Sequence, residues 1–102
     1  MKYKGFNARR DANEGVIVDA LRAIGCKVIR LDKPLDLLVG YHGYNYLIEV
    51  KVEDGTLTPD QKEFIPTWRG QLAVVRTAAQ AIDIVTRKHL ANKVIFNDIG
   101  RG

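Results

Sequence analysis

Two carboxylates and an amine, Asp36, Glu49 and Lys51, lie in two neighbouring stretches of β-forming residues. These stretches, 35–41 and 44–52, flank a His-Gly pair and together predict a hairpin. Because successive side chains of a strand point to opposite faces, Glu49 and Lys51 project together, while the valine between them points the other way. The hairpin therefore gathers groups that could bind a cation and stabilise negative charge.

The position of the turn decides which of these side chains face each other. If 42–43 forms a two-residue turn, Asp36 lies opposite Glu49, with their Cβ atoms about 4.5–5.5 Å apart. A turn one residue later pairs Asp36 with Lys51, still on the same face. A three-residue loop would instead oppose Asp36 to the intervening valine. Either two-residue turn collects all three side chains into one cluster.

Two carboxylates set opposite each other repel unless something compensates their charge. A divalent cation bound by both would do so, and hard oxygen ligands favour Mg²⁺ or Mn²⁺. Lys51 could then hold an attacking water or offset negative charge developing on a phosphate. The alternative is a surface salt bridge between Lys51 and either acid, which stabilises a protein only slightly.

Two helices could add further side chains to this cluster. Apolar residues recur at helical spacing over about 7–24, and Glu14 continues their stripe. A carboxylate on a core-facing stripe is costly unless it is paired or binds a metal. Glu14 is therefore either a third acid over the cluster or a residue that reaches water from the first-turn end of its stripe. Gln61 follows Thr58 and Pro59 at the start of a second helix. It is either the reciprocal partner in a capping box, which the pattern favours, or a site residue.

The other local signals complete a small α/β domain. We expect a first helix ended by Gly25, a strand over 26–31, the hairpin, a second helix cut short by Pro66, a strand over 71–76, a helix over 77–89 and a final short strand at 94–96. This order predicts a small mixed central β-sheet flanked by helices.

Length and composition limit the classes of protein. The 102 residues, 46% of them apolar, suit one folded domain over 1–102. No apolar run approaches the ~20 residues of a membrane helix, and the first residues lack the apolar stretch of a secretory signal. The single cysteine, Cys26, predicts a core residue in a reducing cytoplasm and excludes an intramolecular disulfide. His42 and His89 have no evident partner, so we expect structural or surface roles.

The first ten residues form a basic arm. The formal net charge is +4, and aromatic residues lie between the basic ones. This composition is typical of polyanion binding, although a solvated terminus would have the same composition. The basic side chains of the arm are Lys2, Lys4, Arg9 and Arg10.

The order of the acidic residues resembles that of the PD-(D/E)XK nuclease superfamily. Its pattern is a Glu in the first helix, an Asp at the start of a hairpin and a Glu-X-Lys on the return strand. The segments Leu-Asp-Leu-Leu-Val-Gly (35–40), Ile-Glu-Val-Lys (48–51) and Leu-Thr-Pro-Asp-Gln (57–61) resemble its small archaeal and phage branch. That branch contains Holliday junction resolvases and virus-type repair nucleases. The likeness extends over about 10–71.

The resemblance implies a restriction-endonuclease-like core and a metal-dependent endonuclease. Asp36, Glu49 and the backbone carbonyl of Val50 would coordinate Mg²⁺, for which Mn²⁺ would substitute. Lys51 would position or activate the water, and Glu14 would ligate or orient around a second metal position. Hydrolysis would leave a 5′-phosphate and a 3′-hydroxyl.

The resemblance also implies a partner and an assembly. Resolvases of this branch are homodimers that cut four-way DNA junctions, with the first helix, the basic arm and Gln61 meeting the DNA backbone. The chain departs from the pattern by placing Leu35 between Pro34 and Asp36, and by containing no Ser. Two alternatives are a repair or restriction-type nuclease on flap or duplex DNA, and a DNA-binding module of the same fold without catalysis.

Overall fold

The fold is known from a computed structural model, which describes the backbone of residues 4–87 and 94–95 and the side chains of 13–87. The described residues form three helices and five strands. They are α1 (Lys4–Ala23), β1 (Lys27–Arg30), β2 (Leu37–Tyr41), β3 (Tyr44–Val50), α2 (Pro59–Phe64), β4 (Gln71–Val75), α3 (Ala78–Thr86) and β5 (Val94–Ile95), with a 3₁₀ turn, Ile65–Thr67, directly after α2.

The sheet is mixed, as the sequence predicts. Its strands lie in the order β1-β2-β3-β4-β5. β2 is antiparallel to both β1 and β3, whereas β4 is parallel to β3 and the two-residue β5 is parallel to β4. The connection from β3 to the parallel β4 passes through α2.

The hairpin has the two-residue turn. His42 and Gly43 both have positive φ, +50° and +86°, which is the backbone of a tight hairpin turn. The register pairs Tyr41 with Tyr44 and Leu37 with Ile48. Asp36, one residue before β2, therefore falls opposite Glu49, so of the three registers considered the first is confirmed.

The sheet separates two hydrophobic clusters. Side chains from α1 and α3 pack on one face against Leu37, Ile48 and Val50. On the other face, Leu47 and Val74 pack with residues of α2 and its 3₁₀ turn. Because side chains alternate along β3, Glu49 points to the α2 face, between Ile48 and Val50 on the opposite face.

Several predicted boundaries differ from the observed ones. The strands of the hairpin are shorter than predicted, since β2 starts at Leu37 and β3 ends at Val50. The first helix begins at Lys4 rather than near residue 7, so most of the basic arm is helical. The side chains of the arm, His89 and residue 96 lie outside the described residues. Gly25, with φ +102°, ends α1 as expected.

In the described part of the chain, no helix is both long and apolar enough to cross a membrane.

Candidate active site

Asp36 and Glu49 are both buried, at 4% and 3% exposure, at the end of the hairpin away from its turn. Asp36 Oδ2 accepts a hydrogen bond of 2.8 Å from the backbone N–H of Val50. This bond joins the residue before β2 to the end of β3 and fixes the first carboxylate against the strand that carries the second. The predicted carboxylate pair is therefore present, and it is inside the protein rather than on its surface.

The two oxygens of Glu49 have different surroundings. Oε2 accepts a hydrogen bond of 2.7 Å from Gln61 Nε2 and lies 3.3 Å from the Lys51 ammonium. Oε1 is buried and accepts no hydrogen bond from any residue that the structure describes. A buried polar atom normally has a partner, so Oε1 is a position where a ligand would be favourable.

The pKa of Glu49 is raised from 4.5 to about 7. Burial is the largest cause, and the negative charge of Asp36 adds to it. Lys51 and Gln61 act in the opposite direction, because their bonds to Glu49 favour its ionised form. Near neutral pH this carboxyl group is thus balanced between its two protonation states, and a nearby cation would favour the ionised one.

Lys51 is held by its backbone from two sides. Its amide donates to the carbonyl of Val75 at 2.9 Å, which continues the β3–β4 ladder. Its carbonyl accepts a hydrogen bond of 3.2 Å from Asn13 Nδ2 on α1. The Lys51 side chain is 14% exposed, so its ammonium lies at the border between the buried carboxylates and solvent. Asn13 was missed from the sequence, where nothing but its place beside Glu14 marks it.

Gln61 has both of the roles that the sequence left open. Its backbone N–H donates to Thr58 Oγ1 at 3.2 Å, and its Oε1 accepts from the Thr58 N–H at 3.0 Å, which completes a capping box. Its Nε2 is still available and donates to Glu49. The same side chain therefore begins a helix and contacts the carboxylate pair.

Glu14 is buried on α1 and lies against a basic side chain of β1. It is buried, at 2% exposure, so the expectation that it reaches water is wrong. Its Oε2 lies 3.4 Å from Arg30 Nε. Arg30 pairs with Leu37 and so points to the face covered by α1, opposite to the face of Glu49. Within residues 13–87, no three His, Cys, Asp or Glu side chains form a group that could hold a metal.

The residues that fit a divalent cation are accordingly two carboxylates, not three. Mg²⁺ is usually held by one or two protein carboxylates and keeps several waters. Asp36 and Glu49 provide that number, and the buried Oε1 of Glu49 provides an oxygen that accepts no hydrogen bond from the described residues. The backbone carbonyl of Val50 stays a predicted third ligand.

A pocket of about 340 Å³ shares Gln61 with this site. It lies between the loop before β2 and the first turns of α2. Gln61 thus touches both the pocket and Glu49, whereas Asp36, Glu49 and Lys51 are not among the residues that line the pocket. The lining residues are Asp32, Lys33, Pro34, Thr58, Asp60, Gln61 and Phe64.

Cys26 and His42 have surroundings typical of structural residues. Cys26 is buried in the cluster beneath α1, and burial raises the pKa of its thiol, which makes it a poor nucleophile. His42 lies exposed in the hairpin turn, with its ring against Tyr41. Both results agree with the structural roles expected for them.

Comparison of the chain with models of protein families, with curated protein sequences and with solved structures found no match.

Proposed function

We propose that this protein is a Mg²⁺-dependent DNA endonuclease with a restriction-endonuclease-like core, whose active site is formed by Asp36, Glu49 and Lys51. The observation that carries the proposal is the buried Oε1 of Glu49, which accepts no hydrogen bond from the described residues and lies on a carboxylate next to a second one. Burying two acids together is unfavourable, and a bound cation would turn that repulsion into attraction.

Asp36 and Glu49 would hold the cation, assisted by the carbonyl of Val50. When bound, Mg²⁺ would stabilise negative charge on the phosphate and orient the water that attacks it. Lys51 contributes a positive charge 3.3 Å from Glu49 Oε2, from which its ammonium can donate to a water or to a phosphate oxygen. Hydrolysis would give a 5′-phosphate and a 3′-hydroxyl. Glu14 is kept as a predicted residue of a second metal position only.

The proposed substrate is branched DNA, most specifically a four-way junction, as for a Holliday junction resolvase in recombination and repair. The net charge of +4 supports a polyanionic partner. The basic arm, with Lys2, Lys4, Arg9 and Arg10, would contact phosphates. Two symmetric cuts require two active sites, which a two-fold homodimer would supply.

The test is cleavage of a labelled immobile four-way junction beside matched flap and linear duplex DNA, with Mg²⁺, with Mn²⁺ or with EDTA. We expect paired symmetric cuts in the junction that EDTA abolishes. Lys51→Met should lower the rate about a thousandfold while the protein stays folded, because the donor to the reacting phosphate is lost.

Each other outcome would change the proposal in a defined way. Cleavage of flap or duplex DNA instead would keep the active site and replace the substrate. Salt-sensitive junction binding without cleavage under any divalent metal would support a binding module. A monomeric mass in light scattering at micromolar concentration would contradict the resolvase.

A further inference from the structure

We propose that the capping box formed by Thr58 and Gln61 is a positioning device for Glu49, which fixes which carboxylate oxygen is presented to a bound cation. This inference rests on the proposed metal site. It assigns to Thr58, whose hydrogen bonds join it to Gln61 and Lys62, a role in the site through Gln61.

The first step is the orientation of the Gln61 amide. A side-chain amide has an accepting end and a donating end of similar shape, and it can flip between them. The backbone N–H of Thr58 can only donate, so the group facing it at 3.0 Å must be Oε1. Nε2 is thereby directed away from the cap and toward Glu49.

The second step is the effect on Glu49. Nε2 donates to Oε2 at 2.7 Å, and the Lys51 ammonium lies 3.3 Å from the same oxygen. Two donors thus converge on Oε2 and hold the carboxylate in one rotation. Oε1 stays buried without a hydrogen bond from the described residues and is the oxygen left for a ligand.

The third step is the anchor of Gln61 itself. Its backbone N–H donates to Thr58 Oγ1 at 3.2 Å, which places the first turn of α2 against the chain that leads into it. α2 has only six residues and no buried side chain of its own, so packing alone does little to fix its first turn. The Thr58 hydroxyl therefore helps to set how far Gln61 reaches toward Glu49.

The chain contains a matched control for this device. Thr77 caps α3, its Oγ1 accepting from the N–H of Gln80 at 3.1 Å, and Gln80 Oε1 accepts from the N–H of Arg76 at 2.6 Å. This cap has the same residue types at the same spacing. Gln80 is exposed and begins a helix that packs on the other face of the sheet.

The experiment measures Mn²⁺ binding to the full chain by isothermal titration calorimetry. Gln61→Met should weaken binding about 10- to 100-fold, the usual effect of removing a group that orients a metal ligand. Thr58→Ala should weaken binding less, by about tenfold. Thr58→Ser, which keeps the hydroxyl, should keep the wild-type affinity. Thr77→Ala and Gln80→Met should leave the affinity within about twofold of wild type. Equal weakening by the two threonine substitutions would overturn the proposal, because the effect would then be one of stability.

A second measurement needs no metal and separates this inference from the proposed function. In the metal-free protein, NMR should show the Gln61 side-chain amide protons protected from exchange, with the protection lost in Glu49→Ala and reduced in Thr58→Ala but not in Thr77→Ala. Unchanged protection in Thr58→Ala would refute the positioning role, whatever the metal does. Intact protection with no Mn²⁺ binding to wild type would instead refute the proposed metal site.

Discussion

Two helices of this chain begin with the same pattern, Thr-x-x-Gln, and the structure uses the two copies differently. Thr58 and Thr77 each accept a hydrogen bond from the backbone N–H of the glutamine three residues later. In both, the side-chain carbonyl oxygen of the glutamine accepts a hydrogen bond from a backbone N–H that precedes the helix. The donor is Thr58 before α2 and Arg76 before α3. As helix caps the two are nearly equivalent.

The difference lies in what each glutamine faces beyond the cap. Gln80 is exposed, whereas Gln61 is half-buried and donates to a buried carboxylate. Because the carbonyl oxygen alone completes either cap, the NH₂ group is available for a second partner. The comparison teaches that a local motif fixes the start of a helix, and that the packing of that helix decides whether the motif also serves a site.

The largest expected effect comes from removing Glu49, the partner that Gln61 has beyond its cap. Glu49→Ala should reduce DNA cleavage about a thousandfold and abolish Mn²⁺ binding, because one of two ligating carboxylates is lost. In that background, Gln61→Met and Gln80→Met should no longer differ in any cleavage or binding assay. Cleavage assays and calorimetry on the wild type, on Glu49→Ala and on the two double variants test this. A remaining difference between the two double variants would show that Gln61 acts on something other than Glu49.

The next effect is a pH dependence of the free energy of unfolding, which comes from the Glu49 carboxyl that Gln61 contacts. Glu49 titrates near 7 in the folded protein and near 4.5 when unfolded, so between these values the folded state holds a proton that the unfolded state has released. Its contribution to stability is therefore highest below pH 4.5 and falls as pH rises to about 7, by about 3 kcal/mol. Urea unfolding in EDTA at pH 4.5, 5.5, 6.5 and 7.5 measures this loss, and Glu49→Gln should remove it.

The same titration separates the two glutamines. The hydrogen bond from Gln61 lowers the pKa of Glu49, so Gln61→Met should extend the loss of stability to higher pH. Gln80→Met should leave the profile unchanged in shape. Parallel profiles for both variants would mean that the bond from Gln61 to Glu49 does not form in solution.

The smallest effect tests the part that the two caps share. Thr58→Ala and Thr77→Ala should each lower the free energy of unfolding by about 1 kcal/mol, the usual loss for an N-cap. Thermal or urea unfolding at pH 5 measures both, at a pH where the Glu49 carboxyl is largely protonated. A much larger loss for Thr58→Ala alone would indicate that α2 depends on its cap for more than its first turn.

Much of the fold could be predicted from short-range patterns. The capping box at Thr58, the end of α1 at Gly25 and the two-residue turn at 42–43 are all confirmed. Each depends on residues within a few positions of one another, whose backbone preferences or hydrogen bonds are local. The pairing of Asp36 with Glu49 follows from the turn, since the register of a hairpin is fixed by its loop length.

The errors concern contacts between elements distant in the sequence. The apolar stripe of α1 correctly places Glu14 on the buried side of the helix. It does not show that Arg30 on β1 is its partner. Asn13, 38 residues from Lys51, was not found because no pattern along a helix shows which strand end it will meet. Such contacts depend on the angle and depth at which a helix packs on the sheet.

The sequence by itself determined the order of the elements and showed that either two-residue turn gathers Asp36, Glu49 and Lys51 on one face of the hairpin. Only the tertiary structure decided that Glu14 lies against Arg30, that Asn13 binds Lys51, and that one of the two Thr-x-x-Gln caps reaches Glu49. The physical reason is that strand alternation and helix caps are set by neighbouring residues, whereas the choice of sheet face for each helix is a global property of packing.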